Sequence, residues 1–189
     1  MMKNLFQILC GLFLVVSYSS CMHSEEDKVD VLIIGGGASG VTSGIQSARM
    51  GANTLILEES TWLGGMLTSA GVSAVDGNYR LPAGLWGEFK NRLSDYYGGL
   101  DSLKTGWVSN VLFEPSVGNK ILHEMVAAEN NLKVWKQACL EEVKRTGDEW
   151  VAKVKVEGQG VKTVRAKVMI DATELGDVAK MCGVKYDIG

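Results

Sequence analysis

Asp30-Val31-Leu32-Ile33-Ile34-Gly35-Gly36-Gly37-Ala38-Ser39-Gly40 is the stretch that decides how this chain folds. Asp30 to Ile34 is a short apolar run bounded by charge and by glycine, the pattern of a strand buried on both faces. Beyond the glycines, Val41, Ile45, Ala48 and Ala52 recur at helical spacing along one face. A GxGxxG pattern between a strand and a helix predicts a nucleotide-binding turn. Gly35 permits the tight turn, Gly37 lets the backbone approach a pyrophosphate, and Gly40 lets helix and strand pack closely. The first helical turn, through Ala38 and Ser39, offers free N–H groups and a positive dipole end to the phosphates.

A second strand, Thr54-Leu55-Ile56-Leu57, ends at Glu58. An acidic residue about 20 positions beyond the glycines is where a ribose hydroxyl would be held. A carboxylate there also repels a 2′-phosphate and disfavours NADP. Glu59 is a rival for this role, and Glu58 is preferred because it directly closes the apolar run. Trp62-Leu63-Gly64-Gly65-Met66-Leu67-Thr68-Ser69 follows. The side-chain-free pair Gly64-Gly65, with Met66 beside it, lets a second backbone segment approach a ligand that runs past the pyrophosphate. FAD continues there into its ribityl chain, so this pair is the main argument against a simpler doubly wound NAD-binding domain.

Further along, Trp86, Phe89, Leu93 and Tyr97 share a helical face, as do Ile121, Met125 and Ala128. These positions read as core rather than as cofactor contacts. Leu132 to Trp135 reads as a strand, and Glu149 to Val156 alternates as a half-buried one. Gly147-Asp148 and Gly158-Gln159-Gly160 supply turns on either side. Thr163 to Val168 reads as a third strand of a meander. Val168-Met169-Ile170-Asp171 then reads as an apolar strand ending in the polar turn Ala172-Thr173-Glu174, before Gly176-Asp177 opens another helix.

Over Asp30 to Gly40, Thr54 to Gly71 and Val168 to Gly183, the chain resembles FAD-dependent oxidoreductases with a glutathione-reductase-like flavin-binding fold. The resemblance implies an α/β, Rossmann-like FAD-binding domain in which an antiparallel β-meander covers a parallel sheet. It implies FAD as cofactor, with Ala172 and Thr173 lining its cleft and Asp177 nearby. It also implies an adenine contact from the backbone after the Leu132 strand, at Gln137-Ala138-Cys139. Many relatives have glycine where this chain has Glu174. The substrate domain and a last flavin-contacting segment come later in relatives. The expectation is therefore residues 30–189 as the FAD-binding portion, with the C-terminal substrate domain missing.

The N-terminus reads as an address. Lys3 precedes an almost wholly apolar run from Leu5 to Val16, too short for a membrane span of about 20 residues. It fits a secretory signal peptide over residues 1–20. Small residues directly before Cys21 resemble a bacterial lipoprotein signal, with Cys21 lipidated and residues 21–29 as a tether. Tyr18 departs from that pattern, and simple secretion is the plainer alternative. The lipid would anchor the protein to a membrane, in the periplasm, at the outer membrane or at the cell surface.

The remaining composition narrows the function. Across 189 residues, 46% are apolar, 22% are charged, and the net charge is −3. That suits a folded domain and gives no support to nucleic-acid binding, which normally shows a clustered basic face. Cys139 and Cys182 lack CxxC spacing, so a dithiol centre has no support; a disulfide or two buried thiols remain open. His23 and His123 are the only histidines, and His123 reads as packed or partly exposed within a helix. No metal-ligand cluster and no hydrolase motif is present, which leaves the catalytic residues unassigned. A flavoenzyme needs none for the redox step, because the isoalloxazine itself takes hydride or electrons. The expected function is transfer of hydride or electrons between a small organic substrate and FAD. The alternatives are a truncated, non-catalytic FAD-binding fragment and, behind it, an NAD-binding domain.

Overall fold

Alternate residues of the first strand face two different cores, and this organises the whole molecule. The computed structural model describes residues 26–104, 107 and 109–187. The expectations for the signal segment, Cys21 and His23 lie outside the described residues. Strand β1 (Glu26–Ile34) pairs in parallel with β2 (Thr54–Glu58), and β2 pairs in parallel with β3 (Leu132–Lys136). The remaining strands are β4 (Ala138–Thr146), β5 (Glu149–Val156) and β6 (Gly160–Asp171). They form an antiparallel meander whose last member runs parallel to β1 on its other side. The six strands make one sheet in the order β3-β2-β1-β6-β5-β4.

Helix α1 (Ala38–Arg49) joins β1 to β2, and α2 (Gly84–Tyr97) and α3 (Pro115–Ala127) lie between β2 and β3. A short helix, α4 (Asp177–Met181), follows β6. Ile33 and Ile56 enter a core with Val41 and Ile45 of α1, Phe89 and Leu93 of α2, and Ile121 and Met125 of α3. Their neighbours Leu32, Ile34, Leu55 and Leu57 enter a second core with Leu140, Ala152, Val154 and Val164 of the meander. Helices cover one face of the parallel strands and the meander covers the other. This explains why the β1 and β2 sequences are continuously apolar instead of alternating. Close packing of α1 on the sheet depends on Gly44, where a Cβ would lie 2.6 Å from Ile56 Cδ1.

Four details depart from the sequence reading. β1 starts at Glu26, so residues 26–29, expected within a tether, belong to the sheet. Glu26 sits opposite Thr163 and is bound at 2.7 Å by Arg165. The meander's last strand and the return strand, read as two, are one continuous β6. Gly160 and Val168 therefore lie within a strand, because β6 has β5 on one side and β1 on the other and needs no turn between them. Ala128 caps α3 and is exposed, one turn beyond the apolar face. Cys139 and Cys182 are both free and both exposed, so neither the disulfide nor the buried thiols are found.

Candidate functional site

The site begins where β1 stops. Gly35 has φ of 103°, a left-handed conformation that costs glycine little, and its amide binds the Leu57 carbonyl at 2.9 Å. A Cβ at Gly35 would press into the Ala172 carbonyl, and one at Gly40 would collide with the Gly35 carbonyl oxygen. These two glycines therefore let three backbone segments meet at one point. Gly37 differs: a Cβ there meets nothing within 4 Å, and the residue lines an open cleft. It is also the N-cap of α1, whose first turn has neither a side-chain cap nor an acidic residue. Such a turn directs uncompensated N–H groups at whatever occupies the cleft.

The cleft has a volume of about 680 Å³, within the usual range for small-molecule sites of about 300–1,000 Å³. It opens at the carboxyl ends of β1, β2 and β6. There the chain leaves β1 for β2 on one side and returns through β6 on the other, the place where open α/β sheets bind ligands. Of the sequence-predicted residues, Gly35, Gly37, Ala38, Ser39, Glu58, Gly64, Gly65, Met66, Ala172, Thr173 and Asp177 all line it. Gly40 lies behind the wall, buried against Gly35.

Cys139 does not line the cleft; its neighbours Ala138 and Leu140 do. Alternation along β4 turns those two inward and leaves Cys139 on the outer face, where its thiol donates to Glu59 Oε1 at 3.3 Å. Burial and that carboxylate both push the Cys139 thiol above its ordinary pKa, which favours an unreactive thiol.

Glu58 and Glu59 both reach the cleft, but only Glu58 is built into its frame. Glu58 Oε2 accepts the Gly36 amide at 2.8 Å and Oε1 accepts the Ser60 amide at 2.7 Å. The half-buried carboxylate thus ties the end of β2 to the glycine-rich turn. Its remaining lone pairs are available to hydroxyl donors. Glu59 is exposed.

The second glycine pair docks on the first turn. Gly64 N donates to Gly36 O at 2.8 Å, and a Cβ on Gly65 would lie 3.1 Å from Gly37 Cα. Gly64 has φ of 108° and is hemmed in by Leu122 and Thr68. Two supports of this loop were not foreseen from sequence. Asn119 Oδ1 on α3 accepts the Leu63 amide at 2.9 Å, and buried Thr68 donates to the Leu63 carbonyl at 2.6 Å. No local pattern marks Asn119, because its partner lies 56 residues away.

The turn after β6 is organised by Asp171. Its Oδ1 accepts the Thr173 amide at 3.0 Å and the Thr173 hydroxyl at 2.6 Å, and its Oδ2 accepts the Ala179 amide at 2.7 Å. Thr173 Oγ1 in turn accepts the Asp177 amide at 2.9 Å. Burial opposes ionisation of Asp171, but hydrogen bonds from Thr173 and the start of α4 outweigh it and lower its pKa. The Thr173 hydroxyl is therefore committed to the turn, although the residue lines the cleft. Glu174 and Leu175 also line it. His123 is half-buried on α3 and does not line the cleft.

The charged residues among the lining are Glu58, Glu59, Glu174 and Asp177, with no lysine, arginine or histidine beside them. A phosphate in this cleft would have backbone N–H groups as its donors. Among the described residues, no group of three or more His, Cys, Asp or Glu is arranged to hold a metal ion.

A family model described as FAD dependent oxidoreductase matches residues 30–189. No curated protein matches the chain. Several solved structures share the fold at low identity. A flavoprotein/dehydrogenase from Cytophaga hutchinsonii is 20% identical with a TM-score of 0.55, over 86% of this chain and 44% of its own. The p-nitrophenol 4-monooxygenase PnpA from Pseudomonas putida is 15% identical with a TM-score of 0.55, over 85% of this chain and 45% of its own. The anhydrotetracycline hydroxylase OxyS from Streptomyces rimosus is 15% identical with a TM-score of 0.59, over 82% and 34%. The chain thus spans less than half the length of these structures.

Proposed function

Since the chain belongs to the FAD dependent oxidoreductase family, we propose that it is the FAD-holding part of an enzyme that moves hydride or electrons between a small organic molecule and FAD. One observation carries this reading. The GxGxxG turn, the Glu58 carboxylate and the Gly64-Gly65 loop are brought together around a single cleft by hydrogen bonds among themselves.

In this reading the α1 first turn, from Gly37 to Gly40, holds the pyrophosphate through backbone N–H groups. Glu58, held by Gly36 and Ser60, accepts the ribose hydroxyls with its free lone pairs. The side-chain-free Gly64-Gly65 surface receives the part of FAD beyond the pyrophosphate, and Ala172 and Thr173 form the opposite wall. The adenine contact expected at Gln137-Ala138-Cys139 falls to Ala138 and its neighbour Leu140, which line the cleft. Bound FAD would supply the hydride- or electron-accepting ring. The protein's own part is to bind, orient and shield it.

Purified protein should be yellow, or should gain a flavin absorption band and a rise in Tm on addition of FAD. Colourless protein with no response to FAD, AMP or NAD would show that this chain does not hold a dinucleotide by itself. A response to NAD alone would favour the NAD-binding alternative. FAD binding without turnover of any electron donor would favour a non-catalytic binding unit.

We also propose export with a lipid on Cys21, on the strength of the apolar run Leu5–Val16 and the small residues before the cysteine. Replacing Cys21 by Ala should move the protein from the membrane fraction to the soluble one. An unchanged distribution would refute the anchor.

A further inference from the structure

A second cavity, of about 340 Å³, lies beside α2 and shares no lining residue with the cleft. Arg80, Lys90 and Lys104 line it together with Asn91 and Asn110, and no carboxylate is among its lining residues. Lys90 is only 6% exposed, an uncommon setting for a lysine. Its Nζ donates to the Tyr79 carbonyl at 2.7 Å and the Leu81 carbonyl at 3.0 Å, and it makes no ion pair among the described residues. Its charge also lies over the Trp86 ring, 5.9 Å from the centroid, so two neutral carbonyls and a ring face it, and no anion does among the described residues.

Arg80 is likewise without a carboxylate partner among the described residues. Its Nε donates to the Tyr79 hydroxyl at 3.2 Å, and its guanidinium lies over the Tyr79 ring at 5.4 Å. Lys104 pairs with Asp101 at 2.9 Å, but that side chain is 94% exposed and lies outside the lining. Arg80 and Lys104 line the same cavity. Three cations thus converge where one solvated carboxylate answers them, while Leu100 and Val111 supply an apolar wall.

We propose that this cavity is a subsite for the anionic group of a small organic molecule, a carboxylate or a phosphate. Arg80 offers a planar fork of donors suited to either group. Lys104 and Lys90 add positive charge to the same lining. The proposal does not rest on the FAD reading, because the two cavities have no residue in common.

The test uses the full chain titrated with inorganic phosphate and, separately, with benzoate, each against sodium chloride at equal ionic strength. Heat of binding and Tm are read together, since phosphate also stabilises proteins by exclusion from their surface. Saturable binding of either anion is expected, weakened about tenfold by Arg80→Ala and by Lys104→Ala singly. Both residues are exposed, so these variants should retain the parent fold even if Lys90→Met does not. Phosphate alone or benzoate alone would identify which anionic group is taken. A response to both anions no greater than that to chloride would overturn the proposal. So would saturable binding that neither variant weakens.

Discussion

Glu58 and Gly36 are joined by a 2.8 Å hydrogen bond from the Gly36 amide to Glu58 Oε2. A Cβ at position 36 would lie 2.7 Å from that same oxygen, so the contact requires a glycine, and the two amides of Gly36 and Ser60 together require both carboxylate oxygens. The acidic residue that ends β2 therefore has a structural task in addition to its proposed one at the ribose. It holds the glycine-rich turn in the shape that lines the cleft.

Replacing Glu58 by Gln should weaken folding as well as ligand binding. One oxygen can still accept an amide, but the other becomes an NH₂ facing an N–H donor. The cost of the lost acceptor is about 1–3 kcal/mol, read as a lower denaturant midpoint in the absence of ligand. An unchanged midpoint would mean that Gly36 and Ser60 find other partners.

Gly37 and Gly40 should behave oppositely on substitution. A valine at Gly37 has open space before it and an ordinary φ of −65°, so Tm should stay close to that of the parent while FAD binding is lost. An alanine at Gly40 runs into the Gly35 carbonyl and should destabilise the fold by about 1–3 kcal/mol or more. Parent-like FAD affinity in Gly37→Val would remove the pyrophosphate from this turn.

Asp171 should make the turn after β6 sensitive to acid. Its pKa is lower in the folded state than its ordinary value of 3.8, so the folded protein releases this proton more readily than the unfolded chain does. The resulting stability is complete above about pH 4 to 5 and is lost as pH falls through the lowered value. Denaturation followed from pH 6 to pH 3 should show a shallower acid decline in Asp171→Asn, which begins from a less stable baseline. Parallel curves would assign the acid sensitivity to other carboxylates.

Salt should not weaken FAD binding. The charged lining residues are four carboxylates with no cation among them, so added salt screens more repulsion of the pyrophosphate than it does attraction, which comes only from the α1 N-terminus. Affinity measured between about 0.05 and 0.5 M sodium chloride should hold or rise. A fall of the kind seen at lysine-lined phosphate sites would indicate a basic group that approaches only when ligand binds.

Much of this architecture was legible because it is written locally. The run Asp30–Gly40 encodes strand, turn and helix in consecutive residues, and Glu58 and Gly64-Gly65 follow in the order in which they meet the ligand path. The apolar faces of α2 and α3 repeat at helical spacing, and Phe89, Leu93, Ile121 and Met125 are all buried. The starting residue of β1 was not legible, because Glu26–Val29 looks like a charged tether until β6 supplies partners for it. That Ala138 and Leu140 line the cleft while the Cys139 side chain lies outside it was not legible, because a strand's facing depends on its register in the sheet.

The sequence by itself determined the nucleotide-binding turn, the residue types that surround it and the resemblance to a flavin-binding family. These are properties of contiguous segments, in which neighbouring residues constrain one another's backbone. Only the tertiary structure decided that Thr173 is committed to Asp171 and that Asn119 holds the Gly64 loop. It alone gathered Arg80, Lys90 and Lys104 around one cavity. Each of these joins residues separated along the chain, and their proximity exists only once helices and meander have closed on the two faces of the sheet.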